Sequence, residues 1–238
     1  MKRISYARGK GKLRHNNRDM ISPNVDKARI KDNIELKRQS LADAYEEIFG
    51  DAVAEYNAKQ RRSDRKISDY FEKMFGVRAD TMRADTVIKN DNKQQSFYEY
   101  VVGVGTMHDT GYASSPEAAK VAVECLREYM AGFGERNPQF HVFNAVIHQD
   151  EATPHLHYDM IPYADGMKKG MTRQQGINKA LEQMGYGTGK QAIANFTQSE
   201  RKVFREICEA HGIEIAEETK GRGQTYSCEE YRQTADKN

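Results

Sequence analysis

The chain has 238 residues, 38% of them hydrophobic and 30% charged, with a formal net charge of +2. That length suits one sizeable domain or a domain with an appendage, and no run approaches the roughly 20 apolar residues of a membrane span. The N-terminus carries no apolar signal region, and Cys125, Cys208 and Cys228 are too widely spaced for a metal pattern, so they read as reduced thiols.

Positive charge is concentrated at the start. Lys2, Arg3, Arg8, Lys10, Lys12, Arg14, Arg18, Lys27, Arg29 and Lys31 face only Asp19 and Asp26, and Lys59, Arg61, Arg62, Arg65 and Lys66 add a second cluster. Such clustering suggests a polyanion, and nucleic acid is the commonest. Residues 2–8 read as a short strand and 9–12 as a flexible basic loop able to hold phosphates. Residues 15–18, His-Asn-Asn-Arg, bring an imidazole, two amides and a guanidinium together.

Helical spacing runs through Leu41, Tyr45, Ile48, Val53 and Tyr56, which predicts a helix over 38–60 that Gly50 kinks or ends. A short helix is expected over 64–75, with Ile67, Tyr70, Phe71 and Met74 inward. Residues 76–96 read as polar and irregular, a mobile or DNA-facing segment. Residues 97–107 form a core strand. Ser115-Pro116 opens a helix that buries Val121, Cys125, Leu126, Tyr129 and Met130 and stops at Gly132 and Gly134. Further helices are expected over 172–184 and 197–211, the second stopped by Gly212. Between them, 185–190 is Gly-rich but lacks phosphate-loop spacing. Ile213-Glu214-Ile215 reads as an edge strand, and 217–238 as a polar tail.

The densest chemistry lies at 148–157, His-Gln-Asp-Glu-Ala-Thr-Pro-His-Leu-His. It sits between β-branched, aromatic runs at 140–147 and 158–163, so a strand–turn–strand hairpin is expected. Alternation puts His155 and His157 on one face, and His148 ends the neighbouring strand. Three imidazoles on one sheet patch make a metal site with an open side. Two plainer readings compete. The histidines could be satisfied polar residues, as expected for His108, His141 and His211, or a closed zinc site with Glu151 as fourth ligand. The order of elements gives an α+β fold: a central antiparallel sheet flanked by helices, placed here on one face, with the N-terminal strand in the sheet and His15 near the metal. Open metal and basic N-terminus together suggest metal-assisted phosphodiester chemistry on nucleic acid. Activated water would hydrolyse; a protein nucleophile would give a resealable covalent intermediate. The residues alone leave both open.

His15-Asn16-Asn17-Arg18, then Asn24-Val25-Asp26 with Arg29, then the ten-residue histidine motif resemble the Mob/Pre (MobV-type) plasmid mobilisation relaxases, also called plasmid recombination enzymes. The likeness extends to Gly221-Arg222-Gly223 and Ser227 through Tyr231. It implies an HUH-like relaxase fold over 1–216, nicking of one DNA strand at a transfer origin, and covalent attachment to the 5′ end, which initiates conjugative mobilisation. It implies that His148, His155 and His157 bind Mn²⁺ or Mg²⁺ and that His15 is the nucleophile. Glu151 would assist the metal or the nucleophile, and Glu151 or Asp150 would accept the His15 proton. Arg18 and Asn16 would position the phosphate, with Lys10, Lys12, Arg14, Arg29, Arg61 and Arg62 as further DNA contacts. The resemblance also implies the bacterial cytoplasm, an origin hairpin or single strand with flanking duplex as partner, conjugation coupling machinery, and dimerisation through a C-terminal extension that this sequence does not carry. Two other functions stand beside it. One is a tyrosine-using replication or transposition endonuclease of the same broad fold, with Tyr6, Tyr98 or Tyr100 as nucleophile. The other is a non-enzymatic DNA-binding autoregulator.

Overall fold

A computed structural model describes residues 1–216. The tail and the closing motif at 221–231, with Cys228, lie outside the described residues. The elements run β1 (Ile4–Arg8), α1 (Leu13–Asn16), β2 (Ile34–Arg38), α2 (Leu41–Ala58), α3 (Tyr70–Phe75), β3 (Tyr98–Val104), α4 (Pro116–Ala131), α5 (Phe133–Arg136), β4 (Phe140–His148), β5 (His155–Ala164), β6 (Gln174–Gln175), α6 (Ile177–Gln183) and α7 (Gly189–Ala210). Five strands form one antiparallel sheet in the order β1-β3-β5-β4-β2, and β6 pairs with the far end of β5. The N-terminal strand thus joins the sheet, as expected. Among the described residues no helix is long and apolar enough to cross a membrane.

Strand alternation divides the two faces. On β5, Leu156, Tyr158 and Met160 point into one core with Tyr100, Val102, Ala145 and Ile147, closed by Cys125, Leu126 and Tyr129 of α4 and Phe196, Phe204 and Cys208 of α7. His155, His157 and Asp159 point the other way. The opposite face is capped only towards the Ile161 end, where Phe97, Phe143, Ile161 and Met171 meet Tyr45, Ile48 and Phe49 of α2 and Phe71 and Phe75 of α3. Helices therefore pack on both faces, not on one as expected. The alternation along β5 already held the reason: its second face turns apolar again at Ile161. A bulge between Val142 and Asn144 puts Phe143 in the second core and Asn144 among the polar groups beneath the histidines.

Several boundaries moved. α2 passes through Gly50 without ending, because burial of Leu41, Tyr45, Ile48, Phe49 and Ala52 continues across it. It starts where the Ser40 hydroxyl accepts from Asp43 N at 3.0 Å. The 64–75 helix shrinks to Tyr70–Phe75, capped by Asp69, while Ile67 is buried in the preceding loop. Residues 76–96 are irregular, but Ala84 and Ile88 are buried and Val87 N donates to Gly11 O, so the segment is packed. The 172–184 helix covers only Ile177–Gln183, since Gln174–Gln175 pairs with β5. The last helix starts at Gly189 rather than 197. Its buried stripe is Ala192, Phe196, Glu200, Phe204 and Cys208. Glu200 interrupts the apolar pattern and is held by Arg136, Tyr129 Oη and Asn137. Ile215 makes a single parallel bridge to Lys2.

Candidate metal and phosphodiester site

The β4–β5 ladder sets His148 directly opposite His155 and Val146 opposite His157. Ring centroids lie 5.3 Å apart for His148 and His155, 4.5 Å for His148 and His157, and 5.0 Å for His155 and His157. α1 then brings His15 within 6.0 Å of His148 and 5.8 Å of His157, centroid to centroid. Four imidazoles therefore share one patch on the sheet face that α2 and α3 leave open.

The outward hydrogen bonds orient the rings. His155 Nδ1 donates to Thr153 O at 2.8 Å, and His157 Nδ1 donates to Glu99 Oε1 at 2.6 Å, so each leaves Nε2 with its lone pair for the patch. His148 is the reverse: Nε2 donates to Asn16 O at 2.8 Å. Its Nδ1 is buried without a hydrogen-bond partner among the described residues. A buried nitrogen lone pair with no donor is costly unless something occupies it, and a cation fits. Ligand atoms of His15, His148 and His157 all lie within 4.8 Å of one another, and so do those of His148, Glu151 and His155. His148 is common to both sets.

Electrostatics favour neutral ligands. Burial, then the neighbouring imidazoles, push His148 down to about 2. Burial and His155 hold His157 well below its ordinary value. His15 is lowered by burial and then by Arg18. Beneath the rings lie two carboxyls. Glu99 is raised by burial, although Gly11 N donates to its Oε2. Asp159, its ladder partner, is pushed up to about 8 by burial and then by Glu99, while Asn16 and Asn144 donate to its Oδ2 at 3.0 and 2.9 Å.

The expected proton acceptors of His15 are occupied elsewhere. Asp150 accepts from Arg18 Nε at 2.7 Å, Arg18 Nη2 at 2.5 Å and Asn33 Nδ2 at 2.7 Å. Burial acts to raise Asp150, but the bonds from Arg18 and Asn33 hold it below its ordinary value. Glu151 accepts from Arg18 at 2.8 Å and Asn24 at 2.7 Å. The partner of His15 Nδ1 is Ser22 Oγ at 3.2 Å, which the residue pattern gave no reason to select. Arg18 also does not present its guanidinium to solvent: its side chain is 6% exposed and forks onto the two acids. Asn16, expected at the phosphate, is buried under the rings and ties α1 to Asp159 and His148.

Lys10, Lys12 and Arg14 are exposed beside the patch. Arg29 stacks on Tyr112 with Cζ 3.7 Å from the ring centre, and Tyr112 donates to Gln149 in the hairpin turn. Arg61 and Arg62 lie past the end of α2, where Arg62 pairs with Asp64, and no contact among the described residues links them to the histidines. His141 and His211 are satisfied polar residues, partnered by Gln39 and Glu128. Tyr6, Tyr98 and Tyr100 are 6%, 4% and 1% exposed, which removes them as nucleophiles on the open face. Sequence reasoning missed Glu99. Its signal was present, as a lone acid in the apolar strand Phe-Tyr-Glu-Tyr-Val-Val at 97–102.

Comparison with known proteins agrees with this architecture. The MobM relaxase domain, solved with Mn and plasmid pMV158 oriT DNA, superposes with a TM-score of 0.51 at 18% identity, covering 98% of this chain and 99% of that one. The plasmid recombination enzyme type 3 of Staphylococcus aureus is 25% identical over 164 residues, 62% of this chain and 35% of the relative. A type 2 enzyme of the same species is 24% identical over 176 residues, 71% of this chain and 33% of the relative. The chain thus spans about a third of the length of the curated relatives it matches. The profile of the plasmid recombination enzyme family matches residues 16–203, a span that holds the metal-motif hairpin and the residues that support it, and on that match the chain belongs to the plasmid recombination enzyme family.

Proposed function

We propose that residues 1–216 are the catalytic unit of a metal-dependent relaxase, which nicks one DNA strand at a plasmid transfer origin and holds the 5′ end as a histidine phosphoramidate. The observation that supports it is His15, a neutral imidazole fixed by Ser22 beside a cluster of three further imidazoles. With Nδ1 carrying the proton and donating to Ser22 Oγ, the Nε2 lone pair is free to attack phosphorus. The new P–N bond forms as the bond to the 3′ oxygen breaks, and that oxygen takes a proton from solvent. The reverse reaction reseals the strand, because the P–N bond conserves the energy of the broken ester.

His148, His155 and His157 would hold the metal on the closeness of their rings, 4.5 to 5.3 Å between centroids, although the ligand atoms within 4.8 Å of one another group His148 with His15 and His157, or with Glu151 and His155. When bound, Mn²⁺ or Mg²⁺ supplies charge neutralisation at the scissile phosphate. Neutral His148 and His157, the Glu99 hydrogen bond to His157 and the Arg18 fork on Asp150 and Glu151 keep these groups in place. Lys10, Lys12, Arg14 and Arg29 give the DNA strand its cationic border. DNA is the partner, the bacterial cytoplasm the setting and conjugation coupling machinery the next recipient. Incubation with Mn²⁺ and a supercoiled plasmid carrying the DNA beside its own gene tests the reading. An acid-labile, alkali-resistant protein–DNA link supports it. An acid-stable adduct, or relaxed plasmid with no adduct under any trapping condition, overturns it.

A further inference from the structure

Among the described residues, the sheet has an uncovered flank beyond the end of β1. That strand stops at Arg8, opposite Tyr100, so among the described residues Tyr98 at the start of β3 has no strand on its outer side. A 250 Å³ cavity opens there, lined among others by Lys93, Gln94, Tyr98, Gln175, Asn178 and Lys179. It is too small for a duplex and is rich in amides.

Two features of the cavity point to a ligand. Gln175 is 3% exposed. Its Nε2 donates to Gln95 O at 2.6 Å and its backbone N donates to Tyr70 Oη at 3.1 Å, yet its Oε1 is buried without a hydrogen-bond partner among the described residues. An unpaired buried carbonyl oxygen is unfavourable, and a ligand N–H would satisfy it. At the rim, Lys93 has a φ of 60°, in a turn closed by its own N donating to Asn90 O at 2.8 Å. Glycine or asparagine relieves that conformation and lysine does not. Strain of this kind gathers at ligand clamps. Among the described residues Lys179 pairs with the exposed Glu182, at 2.9 Å, which a phosphate can displace.

The cavity is also joined to the histidine patch by positive charge. Arg8 lies over the Tyr98 ring, 4.6 Å from its centre, and donates to Gln95 Oε1 at 2.6 Å. Lys10 and Lys12 follow on the loop that Gly11 N anchors to Glu99, directly under His157. Cations thus run along the β1 edge from one site to the other. Proteins that read single strands take splayed bases into pockets and hydrogen-bond their edges.

We propose that this cavity binds one unpaired nucleobase of the strand cut at His15, its N–H edge donating to Gln175 Oε1 and its phosphate lying between Lys93 and Lys179. The inference rests on the relaxase reading for its substrate, but its test does not require cutting. Binding of a fluorescent oligothymidine strand and of an abasic strand of equal length is measured by anisotropy in EDTA. Gln175→Ala should weaken the oligothymidine about tenfold, the scale of one buried hydrogen bond, and leave the abasic strand unchanged. Lys93→Ala should weaken both. Equal loss on both strands for Gln175→Ala, or loss on neither, overturns the proposal. Should Gln175→Ala fail to fold, photocrosslinking of the wild-type protein to 5-iodouracil strands decides. Crosslinks on peptides 92–98 or 174–179 support the pocket, and crosslinks confined elsewhere overturn it. Absence of a His15 adduct with intact base-dependent binding would sink the relaxase reading alone. Adduct formation without a base-dependent role for Gln175 would sink the pocket alone.

Discussion

Glu99 and His157 meet across the β3–β5 ladder, with the imidazole Nδ1 donating to the carboxylate Oε1 at 2.6 Å. The other carboxylate oxygen accepts from Gly11 N, so one acid fixes both a histidine of the patch and the basic loop over it. Removing the negative charge while keeping the shape, in Glu99→Gln, should lower Mn²⁺ affinity about 10- to 100-fold, the usual scale for a carboxylate behind a ligating histidine. Titration calorimetry with Mn²⁺ checks it, and unchanged affinity would remove Glu99 from the site.

Gly9 packs on the same acid. A Cβ built there would lie 2.2 Å from Glu99 Cδ and 2.3 Å from Oε2. The carboxyl is held at both oxygens, so it cannot swing aside freely. Gly9→Ala should shift Mn²⁺ affinity in the direction of Glu99→Gln, whereas Gly134→Ala, whose Cβ meets nothing within 4 Å, should leave it alone. Equal metal affinity in the two variants would show that the loop yields instead.

Arg18 holds the turn between β4 and β5. Its side chain is 6% exposed and that of Asp150 is 0% exposed, with φ of 60° at Arg18 aiming the guanidinium inward. Arg18→Ala leaves a buried carboxylate with Asn33 alone and should cost about 3 kcal/mol in urea unfolding. Arg18→Ala with Asp150→Asn should recover part of that loss, because the stranded charge is gone. A double variant no more stable than Arg18→Ala would mean that packing, not charge, carries the loss.

Asp159 gives the pH dependence a definite sign. Its carboxyl is raised from the ordinary 3.8 to about 8, so between those values the unfolded chain releases a proton that the folded chain keeps. The folded state therefore loses stability as pH rises across that window. Asp159→Asn keeps an acceptor for Asn16 and Asn144 and removes the titration. Its melting temperature should exceed the wild-type value at pH 8 and approach it towards pH 4. A constant difference at all pH values would place the titration elsewhere.

His15→Ala should abolish the covalent adduct on supercoiled plasmid while Mn²⁺ still binds, because His148, His155 and His157 keep their own hydrogen bonds. Denaturing gels and calorimetry read the two separately. An adduct that survives the substitution would name another nucleophile.

The hairpin of the histidine motif was legible in sequence because strand alternation and cross-strand pairing are local rules. Ten residues decide which way His155 and His157 face and what His148 meets. The buried stripe of α4 and most of α2 were equally local. What the sequence could not carry was anything bridging distant segments. Whether Asp150 and Glu151 faced His15 or Arg18 depended on where α1 docks, some 130 residues away in the chain. Asn16 read as a phosphate contact until its burial against Asp159 was visible. Ser22 and the Gln175 cavity became recognisable only when separate strands and loops were brought together, and Glu99, visible in sequence as a lone acid in an apolar strand, gained its partner only there. The sequence by itself determined that His155 and His157 share a face with His148 opposite, because that follows from the period and pairing of strands. Tertiary structure decided which acids support them, because desolvation and hydrogen bonding are properties of the assembled interior.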